Sequence, residues 1–162
     1  MRIRNPIVFA ATLLFVPAIA SQGLADTGYT VTVNATQEVP VNASAAIGSG
    51  TLIVNLAQTQ VTYNITYSGL SSNRTAQHIH GPAGASANAG VLVPLSATGN
   101  RSGTISGIAP ITSLIAGYMA TGQTYVNIHT SGLPGGEIRG QVAADVTPTQ
   151  LTTWGRIKKL YR

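Results

Sequence analysis

Val61-Thr62-Tyr63-Asn64-Ile65-Thr66-Tyr67 alternates apolar and polar side chains without a break. A period of two places Val61, Tyr63, Ile65 and Tyr67 on one side of an extended chain, as in a strand with one face in a core and one in water. The same alternation occurs upstream, where Tyr29, Val31 and Val33 interleave with Thr30, Thr32 and Asn34. Thr51 to Ala57 repeats it, with Leu52, Val54 and Leu56 expected inward. Ala57-Gln58-Thr59-Gln60 reads as the turn between the last two strands, so the first third of the domain is expected to be an antiparallel meander.

Downstream, Thr75–His80, Gly90–Leu95, Arg101–Ser106, Thr124–Thr130 and Glu137–Ala143 are further strand candidates. Pro94 has no N–H for a ladder and marks an edge or a strand end. Pro110 to Met119 changes period: Ile111, Leu114, Ile115 and Tyr118 fit i, i+3, i+4, i+7, which predicts one short helix near 111–119. Short strands separated by glycine and proline turns, with a single helix, indicate an all-β antiparallel Greek-key sandwich or barrel.

The ends differ from the middle. Arg2 and Arg4, the apolar run Ile7–Ile19 and the small residues Ala18-Ile19-Ala20 form a signal-peptide pattern, with a second acceptable cut after Gly23-Leu24-Ala25. The expected organisation is therefore a leader at 1–25, one domain at 26–146, and a linker with a basic tail at 147–162. A secreted or periplasmic location follows from that reading. The tail, Trp154 to Arg162, is basic and amphipathic and suits an anionic membrane surface or a sorting machinery, with a plain solvated end as the alternative.

Removing the leader removes Phe9 and Phe15, the only two phenylalanines, so the core must be built from Val, Ile, Leu, Ala and Tyr. The net charge of +5 belongs to the two ends. Between Asp26 and Val146, three arginines (Arg74, Arg101, Arg139) face four carboxylates (Asp26, Glu38, Glu137, Asp145). That balance excludes a nucleic-acid footprint on the domain. The absence of cysteine excludes disulfides, thiolate metal sites and cysteine catalysis. Five Asn-x-Ser/Thr triplets, at Asn34, Asn42, Asn64, Asn73 and Asn100, read as chance in a chain rich in these residues.

All three histidines fall in two strand candidates, Gln77-His78-Ile79-His80 and Tyr125-Val126-Asn127-Ile128-His129-Thr130. His78 and His80 are two apart and share a face, and a neighbouring strand carrying His129 would complete a three-imidazole cluster. Such a set suits copper, and zinc after it, with one coordination position left open. Gln77, Asn127, Thr130, Glu137 and Arg139 are the expected surrounding groups, with Glu137 and Arg139 sharing a strand face and able to pair. Met119 is read as packing before ligand. No nucleophile elbow, phosphate loop or acid/base carboxylate pair is present, so no catalytic residue is assigned.

Three ordered motifs, Ala76-Gln77-His78-Ile79-His80-Gly81-Pro82-Ala83, Tyr125–Thr130 and Pro134-Gly135-Gly136-Glu137-Ile138-Arg139-Gly140-Gln141, resemble the CHRD domain, first named from chordin. The likeness spans about Gly28 to Val146 and implies an exported single-domain protein, without implying an activity. The His-x-His strand with a later histidine also resembles, more weakly, the copper site of copper/zinc superoxide dismutases, where an arginine lies near the metal; Arg139 would take that place. The chain has no bridging fourth histidine, no zinc-ligand loop and no cysteine pair. Three functions remain open: metal storage, delivery or sensing; a metal-free extracellular module with a protein partner; and a copper redox enzyme.

Overall fold

The computed structural model describes residues 25–145. Apart from Ala25, the expected leader lies outside them, as does the expected basic tail. Ten strands form one antiparallel sheet: β1 (Thr27–Asn34), β2 (Ile47–Val54), β3 (Gln60–Ser68), β4 (Arg74–His80), β5 (Val91–Pro94), β6 (Ala97–Gly99), β7 (Gly103–Pro110), β8 (Tyr125–Thr130), β9 (Ile138–Gln141) and β10 (Ala143–Ala144). A 3-10 turn at Ala35–Gln37 follows β1, and one helix, α1 (Ser113–Ala120), joins β7 to β8. The strand order is β5-β4-β8-β9-β1-β2-β3-β7-β6, with β10 beside β1. Among the described residues no helix is long and apolar enough to cross a membrane.

The sheet curls around one core, which settles the expected sandwich or barrel in favour of a single rolled sheet. Its two ends are connected by the segment 91–99. β5 pairs with β4, and Leu95 N–H donates to Gln77 O at 3.1 Å; one residue on, Ser96 O accepts from Ser106 N–H at 3.1 Å and β6 pairs with β7. The strand thus changes partner between Leu95 and Ser96, next to Pro94, which has no N–H to give either neighbour. Tight curling at β2–β3 depends on Gly50: a Cβ there would strike the Asn64 carbonyl and Ile65.

Burial follows the period-two pattern. Tyr29, Val31 and Val33, then Leu52 and Val54, then Val61, Tyr63, Ile65 and Tyr67 all point inward. The buried apolar set is Val, Ile, Leu, Ala and Tyr, with Met119 as the one other residue type, as the lack of phenylalanine requires. Met119 is fully buried in this core, consistent with packing.

Several boundaries differ from the sequence reading. β2 begins at Ile47 and ends at Val54, so Leu56 lies beyond it and is 50% exposed. β7 extends to Pro110 because β3 templates it residue by residue from Gln60 to Tyr67. Ile111 is still extended and donates its N–H to Thr59 O at 2.9 Å. Thr112 then caps α1, its hydroxyl accepting from Ile115 N–H at 3.3 Å. Helical periodicity therefore starts after Ile111, and the buried positions become Ala116 and Met119 while Leu114 is 61% exposed. β6, three residues of Ala-Thr-Gly, carries no pattern to read.

Ile65 lies at the centre of this core and Ile108 is 64% exposed. Ile65→Ala should lower the unfolding free energy by about 2–5 kcal/mol, whereas Ile108→Ala should change it by less than about 0.5 kcal/mol. Urea unfolding of both variants measures the contrast.

Candidate metal centre

Antiparallel register decides which side chains meet. His78 lies opposite Asn127, and Asn127 lies opposite Arg139; one row along, His80 is opposite Tyr125 and Tyr125 opposite Gln141. Directly opposed residues share a face. His78, His80, Tyr125, Asn127, His129, Arg139 and Gln141 therefore share the face turned away from Ile79, Val126, Ile128 and Ile138. The loop after β4, the strap after β1 and the turn before β9 lie against this face.

The three imidazoles converge. One nitrogen of each lies within 4.8 Å of the other two, and ring centroids are 5.2–5.5 Å apart. His80 Nδ1 bonds Ala89 O at 3.0 Å and His129 Nδ1 bonds Pro134 O at 3.0 Å. A carbonyl only accepts, so both Nδ1 atoms carry the proton and both Nε2 atoms present a lone pair. Those two Nε2 atoms face each other at 3.3 Å. That spacing matches the roughly 3.3 Å expected between two nitrogens bound at about 2.0–2.1 Å in a tetrahedral shell. His78 Nδ1 is buried with no hydrogen-bond partner.

All three imidazoles are held below the usual histidine pKa, chiefly by burial. For His78 the charges of His129 and His80 add to this. For His80 and His129 the bonds to Ala89 and Pro134 oppose burial without overcoming it, and Arg139 and His80 respectively push further down. The neutral imidazole, the form that binds a metal, is thereby favoured.

The surrounding residues sort differently from the sequence reading. Asn127 lies on the site face beside His78, as expected. Gln77 does not: it shares the core face with Ile79, accepts from Arg74 and donates to Leu95 O, because alternation turns it away from its histidine neighbours. Glu137 and Arg139 do not pair, since each is taken by other groups. Glu137 accepts from Ser44 Oγ (2.7 Å), Ser71 N–H (2.6 Å) and Thr130 Oγ1 (2.7 Å). Burial would raise its pKa, but these bonds outweigh it and hold the carboxyl below the ordinary value. Its effect on the site is indirect: it fixes Thr130 and the turn whose Pro134 carbonyl orients His129.

Arg139 lies on the site face with the Tyr125 ring between it and His80. Its guanidinium carbon is 3.5 Å above the Tyr125 ring, and that ring stacks on His80 at 5.1 Å and 11°. The head group donates to Gly84 O (2.9 Å), Ala87 O (2.9 Å), Asn88 Oδ1 (3.2 Å) and Gln141 Oε1 (3.2 Å), clamping the loop that ends in the Ala89 carbonyl. Tyr125 Oη accepts from Ala89 N–H at 2.9 Å. Alternation along β8 places Tyr125 on the same side as Asn127 and His129, but nothing in the sequence marks its stacking.

Glu38, in the strap after β1, was missed altogether. It is 4% exposed, its Oε2 accepts from Asn127 Nδ2 at 3.4 Å, and its Oε1, like Asn127 Oδ1, is buried without a partner. Gly136, at φ 136°, lets the backbone pass against both groups; a Cβ would overlap them. Burial pushes the Glu38 carboxyl up to about 7, against the pull of Arg139. A lone Glu before Val-Pro gave no signal of this.

The CHRD domain model matches residues 29–142, across every strand that builds the site. The chain belongs to the CHRD domain family. No curated protein and no solved structure matches it. Membership accounts for the three ordered motifs, which form β4, β8 and the turn into β9 of this CHRD domain.

The ionisable groups of this face oppose one another in pH. The histidines protonate less readily folded than unfolded, so their contribution is complete above about pH 6.5 and is lost as pH falls. Glu38 is raised, so its contribution is complete below 4.5 and is lost as pH rises through about 7. Glu38→Gln should therefore raise stability relative to wild type more at pH 8 than at pH 4.5; urea midpoints at the two pH values report the difference, and a pH-independent difference would contradict it.

Proposed function

We propose that this CHRD domain is an exported transition-metal-binding module, taking copper ahead of zinc through His78, His80 and His129, in metal storage, delivery or sensing. The observation that carries this reading is the pair of Nε2 lone pairs facing each other at 3.3 Å. Two acceptors at that distance repel unless a cation lies between them. The buried, unpartnered Nδ1 of His78 adds a third imidazole with no other evident employment. A metal-free scaffold would need a proton held between the two Nε2 atoms, which the lowered pKa of both rings disfavours, and would leave His78 Nδ1 without a partner.

Imidazole donors suit copper and zinc alike, and the general order of divalent affinities places copper first. Three protein ligands leave a position for water or an exchangeable ligand, which suits transfer of the ion. Glu38 reaches this face only through Asn127, and no hydrogen bond among the described residues brings its carboxyl to an imidazole, so binding is preferred to catalysis.

Titration of the purified protein with Cu(II) and Zn(II), beside a His78→Ala, His129→Ala double variant, tests the reading. Wild type should bind one ion per chain and the double variant should not; equal binding by both would remove the proposal. Free metal at a hundred times Kd should add about 2.7 kcal/mol to the wild-type unfolding free energy, and nothing to the double variant.

A further inference from the structure

The charges around the three imidazoles bear on which ion they hold. The donor set is wholly neutral: three imidazoles, with no carboxylate or thiolate among them. Soft ligands would select Cu(I) by chemistry, and this site has none. What can distinguish ions here is the charge around the donors.

Among the described residues, one fixed positive charge lies close by. Arg139 is fully buried, and a single aromatic ring, Tyr125, separates its guanidinium from His80. The acceptors of its head group are Gly84 O, Ala87 O, Asn88 Oδ1 and Gln141 Oε1, none of them anionic. Glu38 is the carboxyl whose field Arg139 feels, and burial raises its pKa to about 7, so its opposing charge fades below that pH. Glu137 is turned to Ser44, Ser71 and Thr130. In a partly desolvated site, where screening is weak, each added charge on the bound ion meets this guanidinium more strongly, and most so below about pH 7, where Glu38 offsets it least.

Resting on the metal-binding reading above, we propose that the Arg139–Tyr125–His80 stack makes this a site for monovalent copper, binding Cu(I) in preference to Cu(II) and Zn(II). Cu(I) accepts three neutral nitrogens without an added anion, so the neutral donor set satisfies it. A divalent ion would be left with its second charge unbalanced next to Arg139.

The test compares affinities for the full-length protein, with Cu(I) delivered from a chromophoric chelator under ascorbate and argon, and Cu(II) from a competing chelator in air. Cu(I) should bind at least tenfold more tightly, which places the bound couple at least about 59 mV above that of the free ion. Asn127→Asp, which sets an anion opposite His78, should reduce that preference tenfold or more; Arg139→Met should do the same provided circular dichroism shows it folded, and Asn127→Asp decides if it is not. Histidine-dependent Cu(II) binding as tight as Cu(I), or an unchanged preference in Asn127→Asp, overturns this inference and leaves metal binding intact. Absence of histidine-dependent binding of Cu(I), Cu(II) and Zn(II) alike removes the underlying reading as well.

Discussion

The pairing of β4 with β8 is the constraint on which the site depends. Its register sets His78 against Asn127 and His80 against Tyr125, and through β9 it brings Arg139 into the same row. A slip of one residue would move every one of these side chains to the opposite face and expose Ile79, Val126 and Ile128 to water. The apolar residues that fill the core thus fix the imidazoles in place from behind. Function on one face is secured by packing on the other.

Around that frame, loops act through their backbone. Ala89 and Pro134 contribute only carbonyl oxygens, yet these choose the tautomer of His80 and His129 and aim both Nε2 atoms at the same point. Each loop is in turn anchored by a buried charge. Arg139 clamps 84–88, and Glu137 holds Thr130 together with the strap residue Ser44. Buried charges held by several hydrogen bonds specify one arrangement, because any alternative would leave them without those partners. Glu38, Asn127 and His78 are the exceptions on this face, with Glu38 Oε1, Asn127 Oδ1 and His78 Nδ1 left without a partner.

The electrostatic character of the site follows from the same arrangement. Neutral imidazoles, a guanidinium behind an aromatic ring and a carboxyl raised to about 7 leave little negative charge near the converging nitrogens. A domain with three arginines and four carboxylates could have placed an anion there. Glu137 anchors loops instead, and Glu38, the carboxyl that does lie against this face, is raised to about 7.

Alternation in the chain was enough to establish an antiparallel all-β domain, to put Tyr63 and Ile65 in the core, and to group His78, His80, Tyr125, Asn127 and His129 by face, because a period of two is a local property of extended backbone. The convergence of His129 with the other two required β4 and β8 to be neighbours, although some fifty residues separate them, and only long-range pairing decides that. Gln77 is different, since alternation by itself turns it to the core face; the partners of Glu38 and Arg139, drawn from a distant strand and from the loop 84–88, carry no periodic signal. Closure of the sheet through 91–99 was equally out of reach, since a strand that changes partner midway leaves no mark in its own residues beyond Pro94. Local patterning reports which side a residue faces; which residues it faces is a matter of how distant strands are stacked.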